Sequence, residues 1–187
     1  MFELTLVDHL RLSFGHVVHR HNAHAQIASS RGRWGRGLRA TEALLMAGVA
    51  LASTGAALGR GQVYGVASAV LATLALAALF VHLAFDFDRS AQIHAACATR
   101  LWEIRERYRA LLSDLSDGAI DMDGGRRRRD ELMHELHGIY ENAPPEDHPV
   151  YQAAARAALV EAETLPDEEI DRFLPVSLQK AGKAHAA

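Results

Sequence analysis

The sequence predicts an all-α protein: a two-helix transmembrane hairpin whose second helix extends into a cytoplasmic helical bundle. The first observation is that residues 43–59 and 61–85 carry no charged side chain, and that only Arg60 separates them. A helix of about 20 mainly apolar residues crosses a bilayer core. The second observation is that apolar residues elsewhere recur at helical spacings, while no stretch alternates as a half-buried strand does.

A hairpin buried inside a soluble bundle is the alternative for these two stretches, since a fully buried helix is also apolar on every side. The first stretch is rich in Ala and Gly and is marginal as an isolated span, whereas the second is richer in Leu, Val and Phe. A soluble chain of 187 residues rarely needs so long an uncharged sequence for one core, which favours the membrane interpretation.

The segment before the hairpin predicts an amphipathic cytoplasmic helix over residues 1–33. Its apolar side chains recur three or four residues apart, beginning with Val7, Leu10 and Phe14 and continuing to Val17 or Val18 and His21. It lacks the continuous apolar core of a cleavable signal peptide. The hairpin is then expected over 34–88, with spans at about 38–59 and 61–85.

Arginines set the predicted orientation. Those before the hairpin are Arg31, Arg33, Arg36 and Arg39, and those after it are Arg89, Arg100, Arg105, Arg107 and Arg109. The connecting turn carries Arg60 alone. Because cytoplasmic loops are enriched in Lys and Arg, both termini are expected in the cytoplasm.

Small residues recur every three or four positions in both spans, which favours close packing of helices within the membrane. The residues predicted to pack are Gly48, Ala52, Gly55, Gly59, Gly61, Gly65, Ala69 and Thr73. The first helix carries two such rows, one with Gly48 and Ala52 and one with Gly55 and Gly59. They indicate one contact with the partner helix of the hairpin and another with a second copy of the chain, hence a homo-oligomer. The alternative is that an Ala-rich helix produces this spacing by chance.

A charged collar is predicted where the hairpin meets the cytoplasm. It consists of Glu42, His82, Asp86 and Asp88. In a continuous helix His82 and Asp86 share one face, because they are four residues apart. An ionisable group near the membrane is a functional candidate; the alternative is an interfacial salt bridge with Arg39 or Arg89.

After the hairpin, residues 89–175 predict further cytoplasmic helices. One helix is expected to run without a break from residue 66 to 117 and to end near Gly118. Its cytoplasmic part carries an apolar stripe, made of Ile93, Cys97, Leu101, Ile104, Tyr108, Leu111 and Leu115. A turn is expected at Gly124 and Gly125.

The next helix is predicted to begin near Arg126 and to end at Pro144 and Pro145. Another is expected from Pro149 to about residue 163, and a short one over 167–173. Residues 176–187 are expected to be a disordered tail.

The run Arg126, Arg127, Arg128 and Arg129 has two interpretations. It could contact anionic lipid, a phosphate-bearing signal or a partner protein. Alternatively, it is a solvated helix flank paired with neighbouring acids, namely Asp121, Asp123, Asp130 or Glu131.

The sequence predicts neither an enzyme nor a cofactor, since it contains neither a P-loop nor a nucleophile-elbow pattern. Cys97 is the only cysteine. Four histidines cluster near the N-terminus but would not converge on one point of a helix, so no metal site is expected: His16, His19, His21 and His24. No basic face carries interleaved aromatic residues, which argues against a nucleic-acid partner.

The sequences RLWEIRERYRALLSDL (100–115), RRRRDEL (126–132) and ELHGIYENAP (135–144) resemble the part of the SLATT family that follows its hairpin. SLATT denotes SMODS- and SLOG-associating two-transmembrane effector domains, and the resemblance covers about residues 30–160. It implies a multi-pass protein of a bacterial inner membrane, encoded beside a nucleotide-signalling or sensor protein. It further implies a pore-forming or membrane-disrupting effector of anti-phage defence, acting by abortive infection, and it brings no catalytic residue.

Three functions therefore remain open at the level of the sequence. The first is a pore-forming or membrane-disrupting effector that oligomerises through its hairpin. The second is a non-conducting membrane anchor that recruits a soluble partner through its cytoplasmic helices. The third is a membrane-bound sensor that binds a nucleotide or an ion directly.

Overall fold

The computed structural model describes residues 5–59, 61–143 and 166–180. Its α-helices are α1 (Leu6–Ala57), α2 (Gln62–Ala84), α3 (Phe87–Ser116), α4 (Met122–Glu141) and α5 (Asp167–Asp171). A 3-10 helix covers Val176–Leu178. None of the described residues forms a strand, so the all-α prediction is confirmed.

The chain divides into two compact units. The hairpin unit comprises residues 27–93, and the helical bundle comprises residues 1–26 and 94–187. The helix α1 therefore contributes its first part to the bundle and its second part to the hairpin unit. The sequence-based division, at 33/34 and 88/89, remains a prediction.

Two long apolar helical segments pack side by side in the hairpin unit and leave most of their surface exposed. Only 11% and 6% of the most apolar windows of the two candidate spans are buried. Large apolar side chains such as Leu51, Leu74 and Phe80 are more than half exposed. The core helix of a soluble protein would be covered, whereas these side chains form a continuous apolar surface suited to lipid.

The expected continuous helix over residues 66–117 is wrong at Phe85 and Asp86. Phe85 is extended, with φ −119° and ψ 100°, and separates α2 from α3. The Asp86 carboxylate accepts a hydrogen bond from the Arg89 backbone N–H at 3.1 Å. An aspartate in this capping position stabilises the start of a new helix, because it satisfies an N–H that has no partner in the helix itself.

Side chains from four helices form the core of the bundle. The predicted stripe of α1 supplies Leu10, Phe14, Val17 and Val18, all at most 1% exposed. These residues pack with Leu101, Ile104, Tyr108 and Leu111 of α3, Leu132 of α4 and Ile170 of α5. The predicted stripe of α3 is confirmed except at Ile93, which is 42% exposed.

The expected turn at Gly124 and Gly125 is wrong, because both residues lie in the first turn of α4. Asp121 caps this helix and accepts a hydrogen bond from the Gly124 N–H at 2.8 Å. A Cβ at Gly125 would lie 3.0 Å from a methyl group of Leu115 and 3.1 Å from one of Leu6. Glycine is favoured here by close packing, while the chain reverses at Gly118, whose φ is +68°.

A buried ion pair attaches the C-terminal segment to α1. Arg11 is 3% exposed and pairs with Asp171, which is 7% exposed. Arg11 also donates a hydrogen bond to the carbonyl oxygen of Leu178 at 2.6 Å. Lys180 bonds Asp171 through its backbone N–H and contacts Asp8 at 2.9 Å.

Residues 176–180 thus differ from the predicted disordered tail. The short helix expected over 167–173 is confirmed as α5. The expected helix end at Pro144 and Pro145, the helix from Pro149, and residues 181–187 lie outside the described part of the chain.

We expect Asp171→Asn to lower the free energy of unfolding of the bundle by about 3 kcal/mol, because it removes the buried carboxylate beside Arg11 and leaves only the half-exposed Asp167, 3.5 Å away, as a charge partner. The measurement is urea unfolding of the detergent-solubilised protein, followed by Trp102 fluorescence in a Trp34→Phe background. Asp130→Asn is the matched control, since the Asp130 side chain is 65% exposed in its pair with Arg129. A change of less than about 1 kcal/mol is expected for that control, and equal changes for the two variants would contradict the interpretation.

Candidate functional site

The two helices of the hairpin contact each other through small residues of α1. A Cβ at Gly55 would lie 2.5 Å from Cδ1 of the Tyr64 ring, and a Cβ at Gly48 would lie 3.1 Å from Cδ1 of Leu71. Ala52 lies between these glycines on α1 and is 8% exposed. The row Gly48, Ala52 and Gly55 therefore packs against α2, where the absence of larger side chains permits the close approach.

A hydrogen bond between the two helices lies in the same contact. The Ser53 and Ser68 hydroxyl oxygens are 2.7 Å apart. In contrast, Thr54 and Thr73 donate to carbonyl oxygens of their own helices, those of Ala50 and Ala69. Bonding within the helix is the usual arrangement for such hydroxyls. No local sequence pattern indicates the Ser53–Ser68 pair, because its register depends on how the two helices are rotated.

Gly59 and Gly61 occupy the turn of the hairpin rather than a helix contact. Their φ angles are +71° and +109°, values that side chains disfavour. A Cβ at either position would meet nothing within 4 Å. Their function in this structure is to permit the reversal of the chain, although the sequence assigned them to helix packing.

The remaining small residues leave an exposed surface on α2, where Gly65 and Ala69 border an open groove together with Ala56 of α1. Gly65, Ala69 and Thr73 are exposed, and a Cβ at Gly65 would meet nothing within 4 Å. We call this surface the outer small-residue face. It leaves a smooth strip of α2 that is free for lipid or for another copy of the chain.

The predicted charged collar separates into distinct pairs. His82 Nδ1 lies 3.1 Å from both carboxylate oxygens of Glu42. Arg39 pairs with Asp88, as the salt-bridge alternative proposed. His82 and Asp86 were expected on one helix face, but the break at Phe85 ends that face and Asp86 caps α3 instead.

Three of the four residues in the arginine run pair with acids. Arg126 pairs with Asp123 at 2.7 Å, and Arg129 pairs with Asp130 at 2.7 Å. Arg128 reaches Asp114 of α3 at 2.9 Å, a partner that the sequence did not predict. Arg127 has no ion pair with a described residue. This pattern is that of a solvated helix flank.

A buried histidine pair connects α1 to α3 within the bundle. The Nδ1 atoms of His24 and His94 are 2.9 Å apart, and the two residues are 1% and 3% exposed. One ring must donate and the other must accept, so at least one of them is neutral. Burial lowers the pKa of His24 below its ordinary value near 6.5, and the positive charge of Arg20 lowers that pKa further.

The other histidines of the N-terminal group have separate environments. His21 Nδ1 lies 2.9 Å from the Ala98 carbonyl oxygen, and His19 contacts Glu169 at 3.2 Å. His16 also has an interaction partner. Among the described residues, no group of three or more His, Cys, Asp or Glu side chains is arranged to hold a metal ion. His94 was not predicted, although it lies three residues before Cys97 on the buried stripe.

The chain matches the model of a known protein family. The family described as "SMODS and SLOG-associating 2TM effector domain family 4" matches residues 6–169, which is most of the chain. Neither the curated proteins nor the solved structures compared with the chain include a match. The matched segment contains both apolar helices and most of the bundle.

We expect Ser53→Cys combined with Ser68→Cys, in a Cys97→Ser background, to form an intramolecular disulfide under mild oxidation. The reason is that the two hydroxyl oxygens are within hydrogen-bond distance across the hairpin. Free-thiol labelling and gel mobility without reductant would measure the bond. The control pairs Ser53→Cys with Thr73→Cys, whose side chain lies on the outer small-residue face. Equal cross-linking of both pairs within one chain would contradict the described rotation of α2.

We expect the stability of the bundle to decrease as the pH falls below about 6.5, the ordinary histidine pKa. Burial lowers the pKa of both His9 and His24. The unfolded chain therefore binds more protons in this pH range, which favours unfolding. Urea unfolding at several pH values would measure the effect. His24→Gln should flatten the dependence, whereas His137→Gln, at a side chain 70% exposed, should not.

Proposed function

Because the chain belongs to family 4 of the SMODS and SLOG-associating 2TM effector domains, we propose that it is a bacterial membrane effector that oligomerises through its hairpin. In this proposal, a signal from a nucleotide-based anti-phage or conflict system causes the assembled hairpins to form a pore or to disrupt the membrane. The result is arrest or death of the infected cell. The two candidate spans and the match to an effector family support this proposal.

The main support for the proposed oligomer is the exposure of the outer small-residue face. In the hairpin, the row formed by Gly48, Ala52 and Gly55 is occupied by α2. The outer face on α2 is left exposed. Small side chains let helices approach closely in lipid, where van der Waals packing replaces the hydrophobic drive that water supplies. A second hairpin can therefore dock on this face without disturbing the first contact.

The proposed membrane location and partner are supported by the arginines that flank the spans and by the family description. The arginines that flank the spans favour cytoplasmic termini in the inner membrane. A partner encoded in the same operon, which makes or senses a nucleotide signal, would act on the bundle. We propose no enzymatic activity for the chain itself, since signal-induced assembly requires none.

A specific observation favours the alternative, a non-conducting anchor that recruits a soluble partner. The polar groups of the hairpin are mutually paired, Ser53 with Ser68 and Glu42 with His82. A water-filled pore needs polar groups that face its lumen. In this arrangement, conduction would require these pairs to open or several hairpins to reorganise together.

We expect Gly65→Ile combined with Ala69→Ile to reduce the oligomer at least about tenfold, because the added side chains prevent close helix approach on the outer small-residue face. Chemical cross-linking of native membranes would measure the oligomer. The matched control is Ala47→Ile with Ala50→Ile, which adds similar bulk to exposed positions of α1. Retention of the Ser53–Ser68 disulfide in both variants would show that the hairpin itself remains intact.

The same variants test the membrane activity. Expression of the native chain with its activating partner is expected to collapse the membrane potential, reported by a potential-sensitive dye, and to stop growth. The outer-face variant should lose this effect and the control variant should keep it. If the membrane potential and growth stay intact when the native chain and its partner are strongly expressed, the pore-forming function is refuted. The non-conducting anchor would then be the function supported.

A further inference from the structure

We propose that the arginine collar, defined as Arg31, Arg33, Trp34 and Arg36 of α1, binds the headgroups of anionic lipids. This inference rests on the insertion of the hairpin in a membrane, but not on pore formation. The collar lies within the hairpin unit and directly precedes the uncharged span. It differs from the arginine run of α4, for which the sequence left open a contact with lipid or a partner.

The described residues provide no acidic partner for the collar arginines. Arg31, Arg33 and Arg36 make no ion pair with any residue that the structure describes, whereas Arg39 is paired with Asp88. In α4, by comparison, Arg126, Arg128 and Arg129 are all paired. A guanidinium without a carboxylate partner can direct its N–H donors to phosphate, which it contacts through two parallel hydrogen bonds.

The acids near the membrane edge are already engaged. Glu42 contacts His82, Asp88 pairs with Arg39, and the Asp86 carboxylate caps α3. Residues 31–42 and 82–89 together carry five arginines against these three acids. The three collar arginines therefore leave a net positive zone on α1, complementary to an anionic membrane surface.

The spacing along α1 places the collar outside the uncharged segment, on the headgroup side. With a rise of about 1.5 Å per residue, Arg36 lies about 10 Å and Arg31 about 18 Å before the uncharged segment that begins at Ala43. The long arginine side chains can extend towards the membrane, with the stem along apolar surface and the charge in the headgroups. Trp34 is 70% exposed, and exposed tryptophan is typical of the membrane–water interface.

The angular distribution favours lipid over a soluble protein partner. Successive residues of a helix are rotated by about 100°, so positions 31, 33, 34 and 36 point to different sides of α1. A protein partner normally contacts one face of a helix, whereas headgroups surround a helix that enters a bilayer. The collar therefore matches a ring of lipid phosphates better than it matches a single docked surface.

The two tryptophans of the chain make the proposal measurable. Trp102→Phe leaves Trp34 as the only tryptophan, and Trp102 is partly exposed, at 48%. The full chain is reconstituted in vesicles of phosphatidylcholine and phosphatidylglycerol, with bromine on the acyl chains of one lipid or of the other at equal mole fraction. Brominated phosphatidylglycerol is expected to quench Trp34 at least about twofold more strongly, because each arginine near an anionic surface adds a several-fold preference.

Charge variants identify the residues responsible. Arg31→Gln, Arg33→Gln and Arg36→Gln together should remove the preference, and the corresponding Lys variants should keep most of it. The matched control is Arg126→Gln, Arg127→Gln and Arg128→Gln, which removes the same charge from α4 and should have no effect. Sodium chloride at about 1 M, where the Debye length is only about 3 Å, should weaken the preference.

Four results would overturn the proposal. They are equal quenching by the two brominated lipids, no quenching by either, a preference that survives the triple Gln variant, and a preference abolished by inorganic phosphate but not by chloride at equal ionic strength. The last would assign the collar to free phosphate rather than to lipid. A lost lipid preference with an intact collapse of the membrane potential would refute this inference alone, since the two readouts are independent.

Discussion

The bilayer interior offers no water to satisfy polar groups, and the structure of the hairpin follows from this constraint. Each backbone or side-chain polar group within the spans needs a partner in the protein itself. Helices satisfy the backbone, Thr54 and Thr73 return their hydroxyls to it, and Ser53 bonds Ser68. The close approach that this last bond requires is possible because Gly48 and Gly55 lie at the contact.

The same constraint locates the end of the second span. Helix α2 ends where apolar sequence gives way to Asp86, and that carboxylate caps the helix that follows. The charged groups here are arranged as separate local contacts rather than as a single cluster. Such pairs are tolerated near headgroups, where solvation lowers the penalty of charge. Glu42 and His82 join α1 to α2, and Arg39 and Asp88 join α1 to α3.

In the bundle, a buried ion pair adds to the contribution of apolar packing. The apolar core joins α1, α3, α4 and α5, and the Arg11–Asp171 pair further attaches the C-terminal segment to α1. A buried charge without its partner is strongly destabilising. The pair therefore contributes specificity for this segment as well as stability. The histidine pair is a second buried polar contact of the bundle, in which rings of α1 and α3 hydrogen-bond to each other.

The sequence by itself determined the helices, the two spans, most of the core stripes and the family resemblance that the match to residues 6–169 confirmed. Hydropathy and the helical period are local properties, so they can be read along the chain. Tertiary structure decided which small residues face α2 and which remain outside. It also paired Glu42 with His82, His24 with His94 and Arg11 with Asp171. These pairs join residues far apart in the sequence, and they depend on the rotation and register of each helix, which no local pattern specifies.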